Sequence, residues 1–204
     1  MDREYRNMTF EVKEGGEQPS FLVEGYASTF EPYVLINIDG VDYSERIEPT
    51  AFDNTDMSDV VFRVDHEGPV YARTSAGTVE IKADEHGLYQ RTDLSRTQRA
   101  RDLYADIEAG NYPKMSFAFT VAEDHFDSGT NTRVIDRVQK IYDVSPVSFP
   151  SNPTTELHVR DYFNGVIEAE KAAEAERLAA EEARRSDLER REELKNRIKE
   201  VTSK

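Results

Sequence analysis

The chain has 204 residues, of which 37% are hydrophobic and 33% charged, with a formal net charge of −15 at pH 7. That length suffices for one domain with a real core plus an appendage. The absence of cysteine excludes disulfides, thiolate metal sites and a cysteine nucleophile, and the acidity disfavours binding to nucleic-acid phosphates or anionic membranes.

The charge has an address. Residues 1–167 carry 30 Asp and Glu against 16 Lys and Arg, whereas residues 168–204 are almost balanced at −1. The start Met1-Asp2-Arg3-Glu4 shows no apolar leader, and no run approaches the roughly 18–20 apolar residues of a membrane span, so a cytosolic character is expected.

The first 165 residues read mainly as strands. Phe21–Ser28 is one, ended by a corner at Thr29-Phe30-Glu31-Pro32. Val34–Ile38 is the next, turned by Asp39-Gly40. A short helical turn is expected around Thr50-Ala51-Phe52. Val60–His66 alternates, so that Val60, Phe62, Val64 and His66 are expected to share one face. Thr78–Lys82 and Leu88–Leu94 flank a hairpin turn at Glu85-His86-Gly87. One helix interrupts the strands over Thr97–Ala109, with Ala100, Leu103, Tyr104 and Ile107 on a single stripe. Ser95 or Thr97 is its cap, Gly110 its C-terminal glycine and Pro113 the block to continuation. Met115–Phe126 and Arg133–Tyr142 form a last hairpin around Asp127–Asn131.

From Val166 the composition turns to Ala, Glu and Arg without Gly or Pro, which favours helix throughout. Leu178, Leu188, Leu194, Ile198 and Val201 are too sparse for a sustained heptad seam. The expected organisation is a domain at 1–165 and a charged helical extension at 166–204. That extension folds fully only against a partner, with a weak coiled coil as the competing reading. Many short strands with few helices suggest a closed or nearly closed sheet.

Three residue types of interest stand in separate strand-like segments: His66, Ser116 and Asp143. A nucleophile, a base and an acid brought together from different strands is the arrangement of a serine hydrolase. Ser116 shares its expected strand face with Ala118 and Thr120, while Met115, Phe117, Phe119 and Val121 point the other way. That pattern would bury the aromatic face and leave an open floor around the hydroxyl. Taken singly, Ser116 also reads as an ordinary strand serine and His66 as a structural histidine. Asp143 is one of 41 acids. His86, His125 and His158, placed in a turn and in strand-like segments, make no metal-ligand spacing. Asp39, Asp42 and Glu45 lack the pattern of a calcium loop. Phosphate-binding glycine motifs and a Gly-x-Ser-x-Gly elbow are absent, so no cofactor or metal is expected.

An ordered set of segments carries a family resemblance. The set begins with Gly25-Tyr26-Ala27-Ser28-Thr29-Phe30, Glu45–Phe52 and Asp65–Thr74. Gly87-Leu88, Gly110 through Met115–Phe119, and Tyr142–Pro153 follow. Together, over about residues 20–160, they resemble the prohead serine proteases of tailed bacteriophages. Thr50 stands where glycine commonly precedes Ala-Phe, Tyr71-Ala72 replaces the usual Leu/Ile-Gly, and Asp143 fills a position more often glutamate.

The resemblance implies an α+β, mainly β fold like that of the herpesvirus capsid maturation protease, an antiparallel β-barrel wrapped by a few helices, here with a C-terminal helical tail. It implies a serine endopeptidase with Ser116 as nucleophile, His66 as base and Asp143 as orienter, Asp65 or Glu67 being the alternative acids. Backbone N–H groups near Ser116 or in the Ser145–Phe149 segment are the candidate oxyanion donors. The implied partners are the major capsid protein with its scaffolding segment, and the chain itself through tail cleavage or homo-oligomerisation. The implied location is the assembling procapsid in the host cytoplasm. The competing function is a non-catalytic capsid scaffold or assembly protein using the same barrel and tail. A generic esterase ranks third, for want of the nucleophile elbow.

Overall fold

The computed structural model describes residues 3–8, 11–12, 21–148 and 153–202. The chain divides into two compact units, Met1–Val159 and Arg160–Lys204. Among the described residues the first unit is mainly β. Its strands are β1 (Glu4–Met8), β2 (Glu11–Val12), β3 (Leu22–Thr29), β4 (Tyr33–Ile38), β5 (Val41–Ile47), β6 (Val61–Val64), β7 (Glu67–Arg73), β8 (Val79–Ala83), β9 (Gly87–Asp93), β10 (Lys114–Asp127) and β11 (Thr132–Val147). Helix α1 spans Gln98–Glu108, and helix α2 runs over Pro153–Thr202.

The strands form two sheets. One has the path β1-β10-β11-β5-β4, with β6 added beside β11 and β7 beside β6; the other is β2-β3-β9-β8. These pairings do not close into a ring among the described residues, so two open sheets stand in place of the expected barrel. Nor is the pairing purely antiparallel. Strand β11, 16 residues long, offers more edge than one short neighbour can cover. Its start pairs in parallel with β5, and its end pairs in parallel with β6 through Asp143–Val61 and Val144–Phe62.

Both sheets contribute to one apolar core. Val23, Ala27 and Leu88 of the smaller sheet are fully buried, as are Phe62, Phe117, Phe119, Ile135, Ile141 and Val144 of the larger. Helix α1 adds Ala100, Leu103, Tyr104 and Ile107, the stripe its periodicity sets out. Thr97 is the cap, its Oγ1 accepting the Ala100 N–H at 3.1 Å. Gly110 at φ 82 closes the other end, with its N–H on Ile107 O and the Asn111 N–H on Asp106 O. That is a Schellman termination. The expected helical turn at residues 50–52 is a run of tight turns, from Ala51 N–H on Glu48 O to Thr55 N–H on Phe52 O. It buries Ala51 and Phe52 without forming a helix.

One glycine is dictated by its neighbour. Gly87 pairs with Thr29 at the end of β3 and has φ 155. A Cβ there would lie 2.0 Å from the Ser28 carbonyl oxygen. Only glycine permits that approach.

In the second unit, residues 168–192 of α2 are exposed on every side. Charge pairs one turn apart line it, Arg177 with Glu174 at 2.8 Å and Arg191 with Asp187 at 2.9 Å. Such pairs support a helix that buries little apolar surface. His158, read from the sequence as strand-like, lies within α2.

Candidate active site

The site is assembled by one turn and one ladder. Val64 pairs with Glu67, so Asp65 and His66 alone connect β6 to β7. Both have positive φ, 48° and 61°, the pattern of a type I′ hairpin turn, normally the preserve of Asn and Gly. Three hydrogen bonds fasten it to the end of β11. Asp65 N–H donates to Pro146 O at 3.1 Å. Its Oδ1 accepts the Ser148 N–H and its Oδ2 the Ser148 hydroxyl, each at 2.8 Å. The sequence placed His66 on a strand face; the strand stops at Val64, and the turn sends the imidazole across the sheet instead.

Ser116 and Asp143 come from the adjacent antiparallel pair β10–β11. Ser116 stands opposite Ser145, and Ala118 opposite Asp143. Residues directly opposite, and residues two apart, project from the same face. All four side chains therefore share one face, and the small Ala118 leaves space beside the carboxylate. His66 Nδ1 lies 2.6 Å from Asp143 Oδ1, and His66 Nε2 lies 2.7 Å from Ser116 Oγ. A carboxylate only accepts, so the Nδ1 proton donates to Asp143 and Nε2 is left to accept the Ser116 hydroxyl proton. This is the connectivity required to make a serine nucleophilic.

The floor expected around Ser116 is not open. Met115 through Thr120 are all buried, Ser116 completely, because both faces of this stretch of β10 are covered. Along its free edge β10 pairs with β1, Asn7 opposite Ser116 and Tyr5 opposite Ala118. The Tyr5 ring packs on the His66 ring with centroids 4.5 Å apart.

An ion network holds β1 in place. Arg6 grips Glu45 with two bonds, Nε–Oε1 at 2.5 Å and Nη2–Oε2 at 2.6 Å. Glu4 receives Arg133 through Nη1 at 2.6 Å and Nη2 at 2.9 Å, and Tyr33 donates to Glu45 at 2.6 Å. Burial opposes the charge on Glu4, but the Arg133 hydrogen bonds and the nearby Arg6 and Arg133 charges outweigh it and bring its pKa down to about 2. Burial and the Glu45 charge push the Tyr33 phenol well above its ordinary range.

The chain matches the caudovirus prohead serine protease family over residues 7–166. It belongs to that family. It is also similar to the prohead protease of Enterobacteria phage HK97, 29% identical over 163 residues, covering 76% of this chain and 67% of that protein. No solved structure matches the chain.

Within this prohead protease fold, His66, Ser116 and Asp143 thus form one hydrogen-bonded chain. Both carboxylate oxygens of Asp65 bind Ser148, and Glu67 is exposed at the start of β7. Of the segment considered for oxyanion donors, residues 145–147 continue β11, the Ser148 N–H is taken by Asp65, and Phe149 lies outside the described residues. Sequence reasoning missed two neighbours, Ser145 on Asp143 and Tyr5 on His66. The i, i+2 spacing of Asp143 and Ser145 was the available signal for the first; nothing local announces the second. Among the described residues no cluster of His, Cys, Asp or Glu is arranged to hold a metal ion. No described helix is long and apolar enough to cross a membrane.

Proposed function

We propose that the chain is the endopeptidase of capsid maturation, with Ser116 as nucleophile, His66 as general base and acid, and Asp143 as the group that orients His66. The observation that carries this reading is the continuous Ser116–His66–Asp143 chain, both links at or below 2.7 Å. Ser116 Oγ bonds to the scissile carbonyl carbon as its proton passes to His66 Nε2. The C–N bond then breaks, and His66 returns that proton to the leaving amine. Water, deprotonated by the same imidazole, then bonds to the acyl carbon; the C–Oγ bond breaks and His66 returns the proton to Ser116 Oγ. Asp143 stabilises the imidazolium without taking its proton.

The proposed substrates are the scaffolding segment of the major capsid protein and the chain's own C-terminal extension, cut inside the assembling procapsid. The exposure of residues 168–192 supports the second, since a protease needs accessible backbone. Residues 1–165 are the proposed protease domain, and 166–204 the part that docks or is removed. An extension docked inside a shell raises local concentration without requiring strong intrinsic affinity.

The test is co-expression with the cognate capsid protein, followed by mass mapping of fragment ends. Ser116→Ala is expected to leave the tail and scaffolding segment uncut; normal processing in that variant overturns the reading. The complete burial of Ser116 favours the second reading, a non-catalytic assembly protein. A fluorophosphonate that fails to modify Ser116 at high concentration supports that reading, and modification abolished by His66→Ala rejects it.

A further inference from the structure

Asp143 Oδ1 has two donors. Besides His66 Nδ1 at 2.6 Å it accepts the Ser145 hydroxyl at 2.7 Å. Ser145 is completely buried and Asp143 2% exposed. Ser145 follows Asp143 by two residues on β11 and faces Ser116 across the ladder, so nucleophile, acid and second hydroxyl occupy one face. The bond between Ser145 and Asp143 is made within a single strand, whereas the bond to His66 spans two hairpins.

We infer that Ser145 is a positioning residue of the catalytic chain, fixing the Asp143 carboxylate so that Oδ1, and not the other oxygen, meets the His66 N–H. The inference rests on the proposed roles of Ser116, His66 and Asp143. A carboxylate on its χ2 torsion has a broad rotational range. One donor from His66, reached from a different hairpin, does not by itself define its plane. A second donor at a rigid strand position removes that freedom, as supporting hydrogen bonds do around other catalytic groups. It also draws negative charge from the oxygen that His66 senses. Without it that charge falls on the bond to His66 alone, so the response of the site to pH is expected to depend on the residue at 145.

The experiment compares Ser145→Thr with Ser145→Val. The two replacements are nearly equal in shape and differ by the hydroxyl, so any cost of added bulk is shared. The readout is the second-order rate of Ser116 modification by a fluorophosphonate across pH 5–9, with circular dichroism to establish that each variant is folded. Ser145→Thr is expected to stay within about threefold of the parent rate. Ser145→Val is expected to fall about tenfold or more below Ser145→Thr, with a pH profile that no longer superimposes on that of Ser145→Thr. Equal rates and equal pH profiles for the two variants overturn the inference. If both variants misfold, Ser145→Ala and Ser145→Cys supply the same readout, and parental rates and pH profiles in both overturn it equally. Ser116→Ala and His66→Ala are run alongside. Labelling that persists in them defeats the underlying assignment, whereas labelling lost in them but insensitive to the residue at 145 defeats the role of Ser145 alone.

Discussion

The carboxylate of Asp65 binds both the N–H and the hydroxyl of Ser148, each at 2.8 Å, while the next residue, His66, turns toward Asp143. Asp65 thus fixes the turn that carries His66 from outside the hydrogen-bonded chain. Asp65→Ala removes both bonds and places a residue with little tolerance for positive φ at φ 48. Fluorophosphonate labelling of Ser116 is expected to slow about tenfold, with far-ultraviolet circular dichroism unchanged. Asp65→Asn, which tolerates the left-handed conformation and keeps one acceptor, is expected to recover part of the rate. Equal labelling in Asp65→Ala and the parent chain contradicts this role.

At Asp143 the chemistry is sharper. Asp143→Asn presents an amide to His66 Nδ1, and its NH₂ favours the tautomer with the proton on Nε2. Nε2 then no longer accepts the Ser116 proton. Turnover is expected to drop by about 10⁴-fold, the scale seen for an Asp-to-Asn change in a serine-protease triad. Single-turnover processing of the capsid protein measures it. A loss of less than threefold removes Asp143 from the mechanism.

Glu4 ties β1 to the rest of the sheet, and its pKa of about 2 lies below the ordinary 4.5. A folded-state pKa below the unfolded one gives stabilisation that is complete above about pH 4.5 and is withdrawn as pH falls toward 2. The difference corresponds to roughly 3 kcal/mol at neutral pH, an upper figure for a side chain 24% exposed. Glu4→Gln is expected to lower stability at pH 7 and to flatten its fall between pH 4.5 and 2. Urea unfolding at a series of pH values reads both effects; an unaltered acid slope refutes the role of Glu4.

Gly87→Ala sets a Cβ against the Ser28 carbonyl oxygen, where only 2.0 Å is available. Either β3 or β9 must move, and a cost of about 3 kcal/mol or more is expected. Thermal unfolding measures it, and a melting temperature within a degree of the parent's disproves the close approach.

Local chemistry made some of this architecture legible. Helix α1 follows from the Ala100-Leu103-Tyr104-Ile107 stripe, the Thr97 cap and Gly110, all contained in a short window. The β10–β11 hairpin follows from two apolar runs about a Gly-containing turn. The pairing of His66 with Ser116 came from ordered segments resembling a family, because the two residues are fifty positions apart and no period connects them. Other features were hidden for physical reasons. The I′ turn at Asp65-His66 contains no glycine to mark it, so the alternation of the preceding strand ran on through it. The parallel pairing of β11 with β5 and β6 depends on which edges remain open after the hairpin forms, a property of the assembled sheet. The closed floor at Ser116 was hidden as well, because alternation along β10 holds there but both of its faces are covered in the assembled fold.

The two parallel neighbours of β11 also order events in time. Ser116 and Asp143 meet by closing one hairpin, whereas His66 arrives only when β6 registers against β11, across 77 residues of chain. Closure of the longer loop is entropically the harder step. Ser116 is therefore expected to sit beside Asp143 before His66 joins them. During refolding, Ser116 is expected to become reactive to a fluorophosphonate only after strand content has recovered. A newly made chain is then expected to stay chemically silent until β6 has joined β11.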